Sequence, residues 1–297
     1  MNHAFLIQVH AYPQLLLKII ERLNAPNHYF FIHIDKKSKS IFHSSIIEAI
    51  KLTDNVTVIS DYKVNWGGRS QFVVTISLMR LALSHPMKMD YFHLISGQDF
   101  PLRNNQVFDR FFEKQSVAGY MGFADTNNME YRFMVYHFND FFNLRKRGLI
   151  NKILIKMLYL LYECQLYLSK SGIQIRPTLN FELFKGSPWW SLRRDAIVYI
   201  NNFLNTHPDY LKRFKYTSCC DEIFFHVIMM NSQYRNGIVR NNLRYIDWTD
   251  RGRGEGLPLV LIGDDFERIM TMENCFFVRK IQPGISDELI NMILGNG

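Results

Sequence analysis

Short apolar runs alternate with stretches of helical period through the first third of the chain. Residues 4–9 and 29–34 are apolar runs of strand length. Between them Leu15, Ile19, Ile20 and Leu23 recur at the spacing that puts them on one face of a helix over 14–23. The spacing predicts a βαβ opening. A helix over 41–50, a third strand over 56–60, a helix over 71–84 closed by His85-Pro86 and a fourth strand from Tyr91 continue the alternation. Strands joined through helices lie parallel, so the expected fold class is α/β with a mostly parallel central sheet flanked by helices.

Further on, 104–114 reads as helix and 119–123 as strand. Residues 131–147 are dense in aromatic and basic residues without a clear period, and predict an irregular excursion. A helix over 149–167, a strand over 184–192 with a Gly-Ser-Pro kink, and helices over 195–204 and 221–230 follow. In the last part only 260–262 and 275–279 stand out as strands. The pattern predicts one domain over 1–297, with a first half at 1–125, a helical or irregular excursion at 126–180 and a second half at 181–297.

Composition narrows this only a little. A chain of 297 residues with 47% hydrophobic and 21% charged residues is that of an ordinary globular protein. No apolar run approaches the roughly 18 residues of a membrane span, and the first apolar run is too short for a signal peptide. The expected location is therefore cytoplasmic, or peripheral to the inner face of the cell membrane. The 149–167 segment carries Ile150, Ile153, Leu154, Met157, Leu158 and Leu161 beside Lys152 and Lys156. Such a basic amphipathic helix lies on a lipid surface or packs on the core.

The formal charge of +8 favours an anionic partner. Its basic residues are scattered and accompany no nucleic-acid motif, so nucleic acid is not expected. Cys164, Cys219, Cys220 and Cys275 form no CxxC pair, which indicates neither a cysteine zinc site nor a disulfide framework.

Chemistry concentrates where apolar runs stop. The run from Tyr91 ends on Ser96-Gly97-Gln98-Asp99, and ligands of open α/β sheets gather beyond the carboxyl ends of strands; the same residues also suit a plain turn. Asp221-Glu222 precedes an apolar run. Such a pair either complements a helix dipole or supplies a general base, and Glu222 is the better base because Asp221 or Ser218 can serve as the cap. Lys185-Gly186-Ser187-Pro188-Trp189-Trp190 offers aromatic faces and polar groups to a sugar, although alternation puts one Trp in the core. Trp66-Gly67-Gly68 lets backbone approach a ligand or simply turns. Arg251, Arg253, Arg279 and Lys280 either stabilise a departing diphosphate or are solvated surface charge. Asp264-Asp265 offers a weaker alternative, carboxylate ligation of Mg²⁺ or Mn²⁺.

Taken in order, His33 to Ser38, Trp66-Gly67-Gly68, Leu94 to Leu102, Lys185 to Trp190, Asp221-Glu222 and Phe277 to Lys280 resemble the core-2/I-branching enzymes. These are the glycosyltransferases of family 14, which includes peptide O-xylosyltransferases, and the likeness runs from about Phe5 to Ile281. The resemblance implies a variant GT-A, Rossmann-like fold and a UDP-sugar donor, typically UDP-N-acetylglucosamine or UDP-xylose. It also implies inversion at the anomeric carbon with no metal or other cofactor. Glu222 then corresponds to the base. Lys280 and one of Arg251 or Arg253 correspond to the diphosphate cations, and Val9, His10 and Asp35 to the uridine site. Gln98, Asp99, Lys185, Ser187, Trp189, Trp190 and Asp221 fall toward the transferred sugar and acceptor. The chain departs from the animal enzymes in lacking their anchor, stem and paired cysteines. This suggests a bacterial-type version whose acceptor is a glycan or a lipid-linked oligosaccharide. The rival readings are a carboxylate-dependent glycoside hydrolase using Asp221 or Glu222 with Asp99, and a noncatalytic protein that binds carbohydrate or a membrane surface.

Overall fold

The computed structural model describes residues 1–51, 54–126, 129, 131–142, 148–250 and 256–296. Its centre is a seven-stranded sheet in the order β3-β2-β1-β4-β7-β6-β8. The strands are β1 (His3–Val9), β2 (His28–Ile34), β3 (Val56–Ile59), β4 (Tyr91–Ser96), β6 (Gly119–Phe123), β7 (Gly186–Arg193) and β8 (Ile238–Val239). A three-stranded sheet sets β10 (Phe277–Arg279) between β5 (Phe100–Pro101) and β9 (Arg244–Ile246).

The first four strands of the large sheet are parallel, as the alternation predicts. β7 breaks the pattern by pairing antiparallel with both β4 and β6. The connecting helices are α1 (Pro13–Leu23), α2 (Ser44–Lys51), α3 (Ser70–Leu83) and α4 (Asn105–Glu113). After them come α5 (Tyr131–Met134), α6 (Leu149–Lys170), α7 (Arg194–Thr206), α8 (Pro208–Arg213), α9 (Phe224–Met230), α10 (Phe266–Met270) and α11 (Asp287–Gly295).

Side-chain alternation divides the core between the two faces of the sheet. Phe5, Ile7 and Val9 of β1 and Phe30, Ile32 and Ile34 of β2 pack toward α1, α2, α4 and α11. Ala4, Leu6 and Phe31 pack toward α3, α7 and α9. β4 is buried along its whole length, which is why its sequence runs apolar without alternating.

Three expectations need correction. The run 221–230 is not one helix: Cys220–Glu222 form a 3-10 turn, and α9 begins only at Phe224, because Ile223 at φ −122° leaves the helical region. Residues 260–262 are extended but form no strand, although Leu261 N donates to Lys280 O at 3.0 Å. The apolar side of α6 does not pack on the core: no residue of this helix is buried, and Leu149 and Ile150 are 75% and 84% exposed. Among the described residues no helix is long and apolar enough to cross a membrane.

Candidate functional site

Parallel register brings the carboxyl ends of β1, β2 and β4 to one edge of the large sheet, since Val9 lies beside Ile34 and Gln8 beside Ser96. β7 runs the other way, with His93 opposite Ser191, so its first residues, Gly186 to Trp189, arrive at that same edge. β10 is tied in by hydrogen bonds. Ile281 N donates to Gln98 O at 3.0 Å and Gln98 Nε2 donates to Ile281 O at 3.2 Å. Lys280 is thereby held next to the loop that leaves β4.

That loop is built around Asp99, which is fully buried. Its carboxylate accepts from Ser96 N at 2.9 Å and from Arg279 Nη1 at 2.9 Å, and lies 3.5 Å from Arg244 Nε. Arg279 also donates to Ser96 Oγ and stacks its guanidinium over the Trp189 ring at 4.8 Å. Arg244 is wholly enclosed. Burial pushes its pKa down to about 10, while the charge of Asp99 acts to raise it. Gly97 is required here, because a Cβ on it would fall 2.5 Å from Val9 Cγ2.

Asp99 therefore shapes the loop and is corrected as a sugar-contacting residue. Trp190, fully buried against Phe225, is corrected likewise. Alternation along β7 leaves Trp189 as the partly exposed ring of the pair. Val9 is also closed off: its side chain is 3% exposed and its carbonyl accepts from Asp35 N at 2.9 Å. Asp35 is 5% exposed, and its Oδ1 accepts from Lys37 N at 2.9 Å and Val64 N at 3.3 Å. His10 is exposed at the rim, and Lys185 and Ser187 are partly exposed at the start of β7. Arg251 and Arg253 lie outside the described residues.

The acid pair reaches this edge through α3. Gln8 Nε2 on β1 donates to Gln71 O at 3.1 Å, and Gln71 Nε2 donates to Asp221 Oδ2 at 3.0 Å. Cys219, at φ 46°, turns its N–H onto Gly67 O at 2.9 Å, which fixes the Trp66-Gly67-Gly68 loop against the acid turn. Gly67 itself sits at φ +70°, and a Cβ there would come 2.9 Å from Asn139 Nδ2. Trp66, 52% exposed, stands beside it.

Glu222 Oε2 accepts from Arg132 Nη1 at 2.8 Å, and the glutamate side chain remains 36% exposed. The guanidinium orients the carboxylate while leaving it open to solvent. Asp221 behaves differently. Its carboxyl is deeply set although the residue keeps some exposure, and burial, then the charge of Glu222, raise its pKa to about 7. The Cys219 thiol is pushed up to about 11 by burial and the neighbouring acids, which removes it as a thiolate nucleophile.

The shifted pKa of Asp221 has a consequence for stability. Between the ordinary value of 3.8 and about 7 the native state binds more protons than the unfolded chain, so stability falls as pH rises through that window. Asp221→Asn keeps an oxygen for Gln71 and removes the titration. Urea unfolding at about pH 5 and about pH 8 should show a smaller difference in the variant than in the wild type; an unchanged difference would remove Asp221 as its source.

Reading the sequence singled out Glu222, Asp221 and Lys280 as candidates and passed over Arg132, Gln71 and Arg244, which lie against Glu222, Asp221 and Asp99. The only hint of Arg132 is the aromatic and basic density of 131–147. Asp265, considered as a metal ligand, is 3% exposed and accepts from Arg268 Nη2 at 2.9 Å and Ile262 N at 3.0 Å.

Comparison with known proteins matches residues 3–259 to the model of the core-2/I-branching enzyme family. Human xylosyltransferase 2 is 26% identical over 98% of this chain and 33% of its own length. Xylosyltransferase 1 of Rattus norvegicus is 28% identical over 98% of this chain and 35% of its own. The chain thus spans about a third of the length of these curated relatives. Among solved structures, residues 1–349 of Staphylococcus aureus TarS are 12% identical over 80% of this chain and 57% of that one, at a TM-score of 0.39. Core-mannan synthase A of Aspergillus fumigatus, in its Mn/GDP form, is 12% identical over 80% and 72%, at a TM-score of 0.37. With the family model covering most of the chain, this protein belongs to the core-2/I-branching enzyme family.

Proposed function

We propose that the protein transfers N-acetylglucosamine or xylose from a UDP-sugar to a hydroxyl of a glycan or lipid-linked oligosaccharide, with inversion and without a metal at the diphosphate. One observation carries this reading: Glu222, oriented by Arg132 and open to solvent, stands in a turn tied through Gln71 and Gln8 to the strand edge where Lys280 is held. Glu222 takes the proton of the acceptor hydroxyl as its oxygen bonds to the anomeric carbon. The bond from that carbon to the diphosphate breaks, and UDP leaves with the electron pair.

Lys280 supplies positive charge to the departing diphosphate, with one of Arg251 or Arg253 as its partner. His10 and Asp35, at the ends of β1 and β2, receive the uridine. Asp35 does so through the loop that its carboxylate organises. Lys185, Ser187 and Trp189, at the start of β7, line the sugar side, and Gln98 holds the β4 loop to β10. The names of the relatives favour xylose. The apolar side chains that α6 leaves in solvent favour a lipid-linked acceptor and peripheral contact with a membrane.

The test is UDP release from UDP-xylose, UDP-N-acetylglucosamine, UDP-galactose and UDP-glucose in excess EDTA, with and without acceptor glycolipid. One donor should turn over, and Lys280→Ala should lower its kcat by on the order of 10²–10³-fold. No turnover of any donor, or turnover lost in EDTA and restored by Mn²⁺, would overturn the reading.

A further inference from the structure

The opposite edge of the large sheet, where β1 and β2 begin, carries a polar cluster that sugar transfer does not use. Register sets His3 beside His28, both fully buried, and α4 crosses that face carrying Asp109, whose side chain is 22% exposed. His28 Nδ1 lies 2.6 Å from Leu23 O. A carbonyl only accepts, so a ring proton sits on Nδ1, and when Nε2 carries none its lone pair points toward Asp109. That lone pair faces Asp109 Oδ1 at 2.8 Å. Two acceptors so close repel each other unless a cation lies between them.

His3 adds a third group. Its Nε2 is buried without a hydrogen-bond partner among the described residues, 3.6 Å from the same carboxylate oxygen. Its Nδ1 is taken up by His93 Nε2 at 3.0 Å, and His93 Nδ1 by Ser191 Oγ at 2.9 Å.

We propose that His3 Nε2, His28 Nε2 and Asp109 Oδ1 form a binding site for one divalent first-row cation, zinc by the chemistry of its donors. Two imidazoles and a carboxylate make a zinc donor set, and ligands about 2.0–2.2 Å from a tetrahedral ion stand roughly 3.3 Å from one another. The two separations, 2.8 and 3.6 Å, lie on either side of that value, and all three ligand atoms lie within 4.8 Å of one another. Supporting hydrogen bonds are already made: His28 Nδ1 to Leu23 O, and Asn27 Nδ2 to Asp109 Oδ2 at 3.0 Å. The partly exposed carboxylate leaves the fourth position to water. The ion joins β1, β2 and α4, segments distant in sequence, at the edge of the sheet away from Glu222. Its role is structural.

The rival occupant of the gap is a proton, which would make His28 an imidazolium paired with Asp109. The experiment strips the full chain with EDTA, removes the chelator and titrates with Zn²⁺ and Co²⁺. The wild type should bind one equivalent, give a visible Co²⁺ spectrum and unfold roughly 5 °C higher at about a hundredfold excess over Kd. Asp109→Asn, a change at the surface end of the site, should lose that binding while keeping its circular dichroism and turnover. Three results would each overturn the site: no binding in the micromolar range, equal binding by Asp109→Asn, or ¹⁵N shifts showing both His28 nitrogens protonated in the Zn²⁺-treated protein.

Discussion

Glu222→Gln should lower turnover by on the order of 10²–10⁴-fold, the range expected when a general base is removed, while the affinity for UDP stays within about twofold. Glutamine keeps an oxygen for Arg132 Nη1, so the turn bonded to Gly67 and Gln71 should hold its shape. What it loses is the lone pair able to take a proton. The effect should fall on kcat, because the acceptor proton moves only as the new bond forms. Steady-state transfer assays beside UDP titration by calorimetry separate the two quantities. Near-normal kcat in the variant would remove Glu222 as the base and turn attention to Asp221, whose carboxyl titrates near 7. Weakened UDP binding would instead mean that the turn had moved.

Asp99→Ala should destabilise the protein by about 3–5 kcal/mol, the cost of removing one partner from a buried ion pair. Asp99 and Arg244 are both fully enclosed, and Arg279 has only 19% of its side chain exposed. Removing the carboxylate leaves two guanidiniums together in a dry interior and leaves Ser96 N without its acceptor. Arg244 keeps bonds to Leu94 O and Asn242 O at 2.5 and 2.6 Å, which orient it but do not neutralise it. Urea unfolding with an unchanged slope should report the loss. Asp99→Asn, which keeps an acceptor for Ser96 N, should lose less. A change below about 1 kcal/mol would show that the carbonyls alone satisfy the arginines. Activity should fall with stability, because the same loop holds Gln98 against Ile281 and Lys280 beside it.

Glu222 was legible because an acid pair opening an apolar run is a local signal, and Lys280 because it follows the apolar Phe276 to Val278. Asp99 was read as positioning substrate or shaping its loop, two parts the sequence leaves open, since a carboxylate ending a strand looks the same whether it faces a ligand or two buried arginines. Arg244 comes from β9, a strand of three residues that the sequence pattern does not mark. Strands so short carry no period.

The sequence by itself determined the alternation of strands and helices, the helix faces that enter the core and the ordered motifs that mark the family. Each of these rests on residues a few positions apart, where side-chain direction follows from backbone period alone. The tertiary structure decided which of Trp189 and Trp190 is buried, because alternation leaves the phase open until β7 pairs antiparallel with β4. It split 221–230 into a turn and a helix, set Arg132 on Glu222 across 90 residues, and put His3 beside His28 under Asp109. Those contacts depend on strand order and register. They arise only when the whole core closes, so nothing in the local pattern of the chain encodes them.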